Sequence, residues 1–407
     1  MVLLVVFIDT SGGRWSSGAT PESGGIAANA TSSTATTDRP GLIPEIPHRH
    51  ALRFCCAFGV GMGAAFAGIP LPMLQIGAIL ELDQMRQHHY DGGGAAAEFL
   101  SVLDEKAGYA IPNVEQNGLI YTCRGGFVDT SHIRELVDWT AFFFAKFDRI
   151  LETGGVIELE DEGASRRVIS MPVPPELVAE IGRDRILLRM AQWTAYQTSI
   201  WHETAQWYGF SIWSLFPETA SGFSPEDPFA NAIGIRLLDD VDVREVLRSS
   251  DSFNRSVETL MVEAVREFGP LPRQVTIDAL HALDGIWWDS SVRLPMKAIV
   301  TRREFDIDGE LQPWLLPSRL ATPELRATLE ESCGADPQPA TIRILDSVGG
   351  VALSEFVRLE IEMDGMLADL PAFAGLDRFD QSSFPEIVER VRAENRIEFG
   401  PGSDRPD

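Results

Sequence analysis

The sequence predicts a predominantly helical α+β fold, and three observations carry that expectation. Two long stretches, 130–152 and 184–208, place apolar side chains three and four residues apart. One stretch, 155–171, alternates apolar and charged residues around a glycine, and the last hundred or so residues switch to short alternating runs. With 407 residues, 44% of them apolar, the chain can bury a sizeable core.

Residues 9–47 are dominated by Ser, Thr, Gly, Ala and Pro, so 1–47 reads as a disordered leader. The opening "MVLLVVFID" has no basic region before it and no small-residue cleavage site after it, and does not make a standard signal peptide. Residues 55–80 carry no charge and are long enough to span a bilayer. Pro70, Pro72 and several glycines interrupt them, so they read instead as a buried loop leading into a helix over 72–88, with no membrane span. A helix over 95–107 and a strand over 118–123 follow. In the helix over 130–152, Ile133, Leu136, Val137, Phe143, Phe144, Phe147 and Leu151 form one apolar face.

"GVIELEDEGASRRVISM" reads as a hairpin turning at Gly163, with Arg166 and Arg167 able to pair across to Glu158 and Glu160. Gly209 stops the helix over 184–208. Ser224 as N-cap, Pro225 at the first position, and Glu226 and Asp227 in the first turn start another. Helices over 242–268 and 274–284 come next, then strand-like "KAIVTRREF", "ATIRIL" and "VRLEIEM". The expected organisation is a leader (1–47), a mainly helical domain with a short β-hairpin (48–310) and a small mixed α/β segment (311–407).

A net charge of −26 repels phosphate backbones, which argues against nucleic acid as a partner. No dinucleotide, P-loop, nucleophile-elbow or EF-hand pattern occurs. The four cysteines, Cys55, Cys56, Cys123 and Cys333, are too few for a disulfide scaffold, lack C-x-x-C spacing and leave the redox compartment open.

The densest polar constellation lies between 115 and 231. Asp129 and His132 are one helical turn apart, and "WHETAQWYG" puts His202, Glu203 and Gln206 on a second helix. An imidazole and carboxylates from two antiparallel helices suit zinc or another divalent metal. His-Glu is also half of the zincin motif, in which Glu is general base, but Gln206 replaces the second histidine. His132 from the neighbouring helix, with Asp129 or Glu226, supplies the missing ligands. The candidate ligands are thus Asp129, His132, His202 and Glu226, with Glu203 as base, and the two histidine helices are expected to pack side by side around one polar cavity. Each residue also has a structural alternative: Asp129 as an N-cap, His132 as a core histidine, His202 and Glu203 as a buried network.

Cys123 offers a rival chemistry, a thiolate activated by His132 and Asp129, in cramped geometry, and burial as a small hydrophobe is its alternative. Arg124 and Arg134 can bind a substrate carboxylate or pair with Glu135 and Asp138; Gln206, Tyr208 and Asn231 complete the candidate substrate contacts. Trp287 and Trp288 line a pocket or pack a domain edge. Three function classes follow: a metal-dependent hydrolase, peptidase-like; a non-catalytic ligand-binding or structural envelope protein; and a cysteine hydrolase using Cys123. The partner is an unidentified small molecule or peptide.

The blocks "RFCCAFG" (53–59), "HYD" (89–91), "EQNGLIYTCRGGFVDTSHIRELVDW" (115–139), "HETAQWYG" (202–209) and "FSPEDPFANAIG" (223–234) together resemble a bacterial family known only as a domain of unknown function, number four thousand and fifty-six, over about residues 45–305. The resemblance implies one shared site built from Cys123 to Gly126, Asp129, His132, His202, Glu203 and Ser224 to Asp227. It also implies an exported or periplasmic protein; "LRF" before Cys55 makes no lipobox, so a cytoplasmic location stays open.

Overall fold

The computed structural model describes residues 118–210, 218–292 and 296–406 in full, and 63–66, 69–75 and 78–79 by their backbone. The leader, Cys55, Cys56, the helix expected over 95–107 and the end of that expected over 72–88 lie outside the described residues. The fully described residues all fall in the unit Leu42–Asp407.

The start of the helix expected over 72–88 is extended instead. β1 (Gly63–Phe66) pairs antiparallel with β2 (Ile69–Gln75), and β3 (Ala78–Ile79) runs parallel to β4 (Gly118–Thr122). Pro70 and Pro72 withhold two backbone donors and bias Ile69 and Leu71 away from the helical region, which outweighs the apolar spacing.

β4 turns back through Cys123, Arg124 and Gly125 into β5 (Gly126–Asp129), a partner strand that the sequence reading does not contain. Gly126 sits at φ 59°, and a Cβ there would collide with the Trp314 carbonyl, so only glycine fits. A disulfide joins Cys123 to Cys333.

Asp129 caps α1 (Thr130–Ile150), which is buried along most of its length. The expected hairpin is present as β6 (Gly155–Leu159) and β7 (Ser165–Ser170). Arg167 stands opposite Glu158 and also bonds Glu360, whereas Arg166 points inward to the Glu160 carbonyl and the Glu162 carboxylate. After α2 (Pro175–Ile181), α3 (Arg183–Trp207) packs along α1.

α4 (Asp227–Arg236) begins later than expected, because the Ser224 hydroxyl donates to Glu226 Oε1 rather than capping the helix. The helix expected over 242–268 is split into α5 (Val243–Val246) and α6 (Ser250–Glu267), the second capped by Ser249. α7 (Arg273–Leu283) follows. The run 297–305 is no strand: a short 3-10 turn opens it, and the amides of Arg303 and Glu304 donate to Ser403 and Phe223, in two different parts of the chain.

The C-terminal part contains β8 (Glu310–Leu311), α8 (Pro323–Cys333), β9 (Ile342–Arg343), β10 (Ser347–Val348), β11 (Val351–Ala352), β12 (Val357–Glu362), β13 (Arg378–Asp380) and α9 (Phe384–Phe399). β12 pairs with β7, in register from Val357 opposite Ser170 to Glu362 opposite Ser165, so the hairpin and the C-terminal strands share one sheet of order β13-β12-β7-β6. Trp287 and Trp288 lie in a second core with Tyr121, Phe127 and Trp314 and pack it rather than lining a pocket. Among the described residues no helix is long and apolar enough to cross a membrane.

Candidate metal centre and cleft

The centre forms where β5 runs into α1 and the N-terminus of α4 meets them. Asp129 Oδ1 accepts from the Ser131 amide at 2.7 Å and the Ser131 hydroxyl at 2.5 Å, capping α1. Its other oxygen, Oδ2, lies 3.8 Å from His132 Nδ1, so capping and site membership use different oxygens of one carboxylate. His132 Nδ1 is 2.8 Å from Oδ1 of Asp227, the first residue of α4.

Gly234 explains how α4 comes so near. It rests on the backbone of Ile133, where any Cβ would collide with the Ile133 carbonyl. The acid therefore reaches the imidazole because α4 has no side chain where it crosses α1.

The ligand atoms of Asp129, His132 and Asp227 lie within 4.8 Å of one another, all three residues are buried, and the group can hold a metal ion. Burial pushes the Asp227 carboxyl up to about 7; His132 opposes that shift, while Glu226 and Asp129 add to it. Asp227 Oδ2 is buried with no hydrogen-bond partner among the described residues.

A small cleft opens beside this group, lined by His132 and Trp139 of α1, His202 and Glu203 of α3, Asn231 of α4, and Glu162 of the hairpin tip. Burial, reinforced by Asp227, drives the Glu203 carboxyl up to about 7 against the pull of His202 and His132. Its Oε2 accepts from the Phe223 amide at 2.6 Å, and Phe223, a non-glycine residue, is held at positive φ, 61°. That strained backbone aims its N–H at the carboxylate, a placement typical of functional sites. Asn231 Oδ1, one turn beyond Asp227, is buried without a hydrogen-bond partner among the described residues.

His202 Nδ1 is 3.3 Å from Glu162 Oε2. Burial alone would lower the basicity of this imidazole, but Glu162, aided by Glu135 and Glu203, overrides it and raises the pKa to about 10.

The expected residues thus divide. His132, His202 and Glu203 do share one cleft, and Asp129 joins His132 in the metal group. Asp227 completes that group, while His202 and Glu226 stand outside it, His202 on Glu162 and Glu226 on Ser224. Of the candidate substrate contacts, Asn231 lines the cleft. Gln206 donates to Glu218 at 3.0 Å and Tyr208 to Glu394 at 3.1 Å. Arg134 is buried and donates to Asp138 and Asn254, the structural alternative; Arg124 is exposed on the β4–β5 turn. The cysteine nucleophile is corrected outright: the Cys123 sulfur is bonded to Cys333, so it carries no thiolate.

Asp227 escapes sequence reading because an acid in a first helical turn has an ordinary explanation, the helix dipole. The available signal is the series Asp227, Asn231, Gly234, a small polar stripe marking a close helix crossing.

No curated protein and no solved structure matches the chain. The family model described as protein of unknown function (DUF4056) matches residues 43–317, a span that includes every residue of the metal group and the cleft. By that match over most of its length, the chain belongs to the DUF4056 family.

Proposed function

We propose that the protein is a metal-dependent hydrolase of peptide-like substrates, with zinc or a similar dication held by Asp129, His132 and Asp227 and with Glu203 as general base. The observation that carries this reading is the buried Asp-His-Asp group beside a cleft containing a second, elevated carboxyl. Asp129, His132 and Asp227 would hold the ion, and a dication there would make a water acidic near neutral pH. A base with a pKa near 7 is matched to taking such a proton at neutral pH and returning it to the leaving group. Asn231 Oδ1 offers an unused acceptor for a substrate N–H, which favours an amide.

A second reading, ligand binding without catalysis, is favoured by the 2.8 Å contact between His132 and Asp227, which pairs the imidazole without an ion. Metal content before and after chelation separates the two. Asp227→Asn should lose the metal; Glu203→Gln should keep it and lose hydrolysis of a peptide library. Protein prepared without chelators that carries no stoichiometric metal would refute the hydrolase and leave the second reading.

A further inference from the structure

Glu162 sits at the tip of the β6–β7 hairpin, where side chains ordinarily meet solvent, yet it is only 3% exposed. Contacts to Arg166, Trp201 and Ala164 help hold it there. Arg166 Nη1 donates to Oε2 at 2.8 Å while Arg166 Nε donates to the Glu160 carbonyl at 2.9 Å. The Trp201 indole donates to the Glu162 carbonyl at 3.1 Å, and the Glu162 amide donates to the Ala164 carbonyl. Trp201 immediately precedes His202, so the residue that fixes the Glu162 backbone is adjacent to the residue its carboxylate engages. Arg166 in turn lies over the Trp139 ring. With Nδ1 turned to Glu162, Nε2, which makes no hydrogen bond among the described residues, can meet a molecule bound in the cleft the imidazole lines.

We infer that His202 is a further catalytic residue of the proposed hydrolase: a fixed imidazolium that donates from Nε2 to the substrate oxygen on which negative charge develops, with Glu162 as its positioning residue. This rests on the metal-hydrolase reading. In the step, water gives one proton to Glu203 as its oxygen bonds the amide carbon, and the C=O electron pair moves onto the carbonyl oxygen, which His202 stabilises. When the intermediate collapses, the pair re-forms C=O, the C–N bond breaks, and the amine leaves with the proton from Glu203. His202 keeps its own proton throughout. That suits an imidazole surrounded by Glu162 on the hairpin, Glu135 on α1 and Glu203 on its own helix, set against the cation Arg166, with His132 and Asp227 at the metal group.

Inorganic phosphate, a tetrahedral anion, is the probe, bound to the zinc-loaded full-length protein and followed by calorimetry with zinc measured on every sample. His202→Gln should weaken phosphate by about tenfold to a hundredfold, the loss of one charge-assisted hydrogen bond, with zinc unchanged. Glu162→Gln should bind phosphate as wild type does at pH 6 and fall behind it by pH 8, as His202 returns towards the ordinary histidine value of about 6.5. A merely structural role would lower thermal stability and leave that pH profile in place. Zinc-loaded His202→Gln with wild-type phosphate affinity, or an unmoved profile in Glu162→Gln, overturns this inference alone; wild-type protein that takes up no zinc overturns it together with the hydrolase reading. Should His202→Gln not fold, the Glu162→Gln profile decides.

Discussion

The two ends of β5, a strand of four residues, treat buried polar groups in opposite ways. At its start, the Cys-Arg-Gly-Gly turn leaves little unsatisfied. The Thr122 hydroxyl accepts from the Gly125 amide and donates to the Gly126 carbonyl, the Tyr121 hydroxyl accepts from the Leu316 amide, the Cys123 amide donates to Gly269, and its sulfur is bonded to Cys333. At its end, Asp227 Oδ2 and Asn231 Oδ1 are buried without hydrogen bonds among the described residues, Phe223 is held at positive φ, and two carboxyls are driven up to about 7. A satisfied network rigidifies a fold, while an unsatisfied one is costly unless a ligand completes it. Similarly ordered polar blocks in one sequence therefore serve different ends.

The disulfide gives the sharpest way to break this contrast. Replacing Cys123 and Cys333 together by serine should lower unfolding stability by about 2–5 kcal/mol, because the bridge constrains a long loop in the unfolded chain. Zinc uptake of the folded protein should not change. Denaturant unfolding and metal analysis check both, and a variant that stays folded but loses zinc would show that the turn belongs to the site.

Gly234→Ala should cost less stability, about 1–3 kcal/mol from forcing a methyl into a packed crossing, yet it should remove the metal by pushing α4 away from His132. The same two measurements apply. Full zinc occupancy in this variant would mean that the α1–α4 spacing is not what assembles the ligands.

The smallest effect is a slope in pH. Glu203 and Asp227 hold their protons to about 7 when folded, against ordinary values of 4.5 and 3.8, and His202 holds its proton to about 10 against 6.5. In every case the folded chain binds more protons than the unfolded one over that interval, so stability falls as pH rises. For the metal-free protein the contribution of the two acids is fully present below about pH 4 and lost by pH 7, and that of His202 is lost between about pH 6.5 and 10. Zinc, which needs the ionised carboxylates, should reverse the slope between pH 5 and 7. Urea titrations with chelator and with zinc test this, and chelated protein whose stability climbs from pH 4 to 7 on account of these groups, a climb absent in Asp227→Asn, would contradict the assignment.

Much of the fold can be read directly from the sequence. The helices α1 and α3 and the β6–β7 hairpin declare themselves because each repeats one pattern long enough to outweigh its exceptions. β5 and β8 do not, since four or two residues are too few to show a period. At 72–79 the apolar spacing points to a helix and the prolines to an extended chain, and the prolines prevail because their effect is covalent. In the site, Asp129, His132, His202 and Glu203 are visible as unusual polar residues next to apolar helix faces, and they do converge on one region. Asp227 and Glu162 are not visible, one looking like a first-turn acid and the other like an exposed hairpin tip.

The sequence by itself therefore determines the helix-rich α+β class, the family, the two long helices and the polar residues that must turn inward with their apolar faces. These are local consequences of side-chain period and of the cost of exposing apolar surface. Only the tertiary structure decides that Asp227 rather than His202 or Glu226 stands with Asp129 and His132 in the group that can hold a metal ion, that Glu162 claims His202, and that Cys123 is bridged to a residue 210 positions away. Each of those outcomes depends on how closely two distant backbones approach, and that distance is set by what packs between them, down to the missing side chain of Gly234.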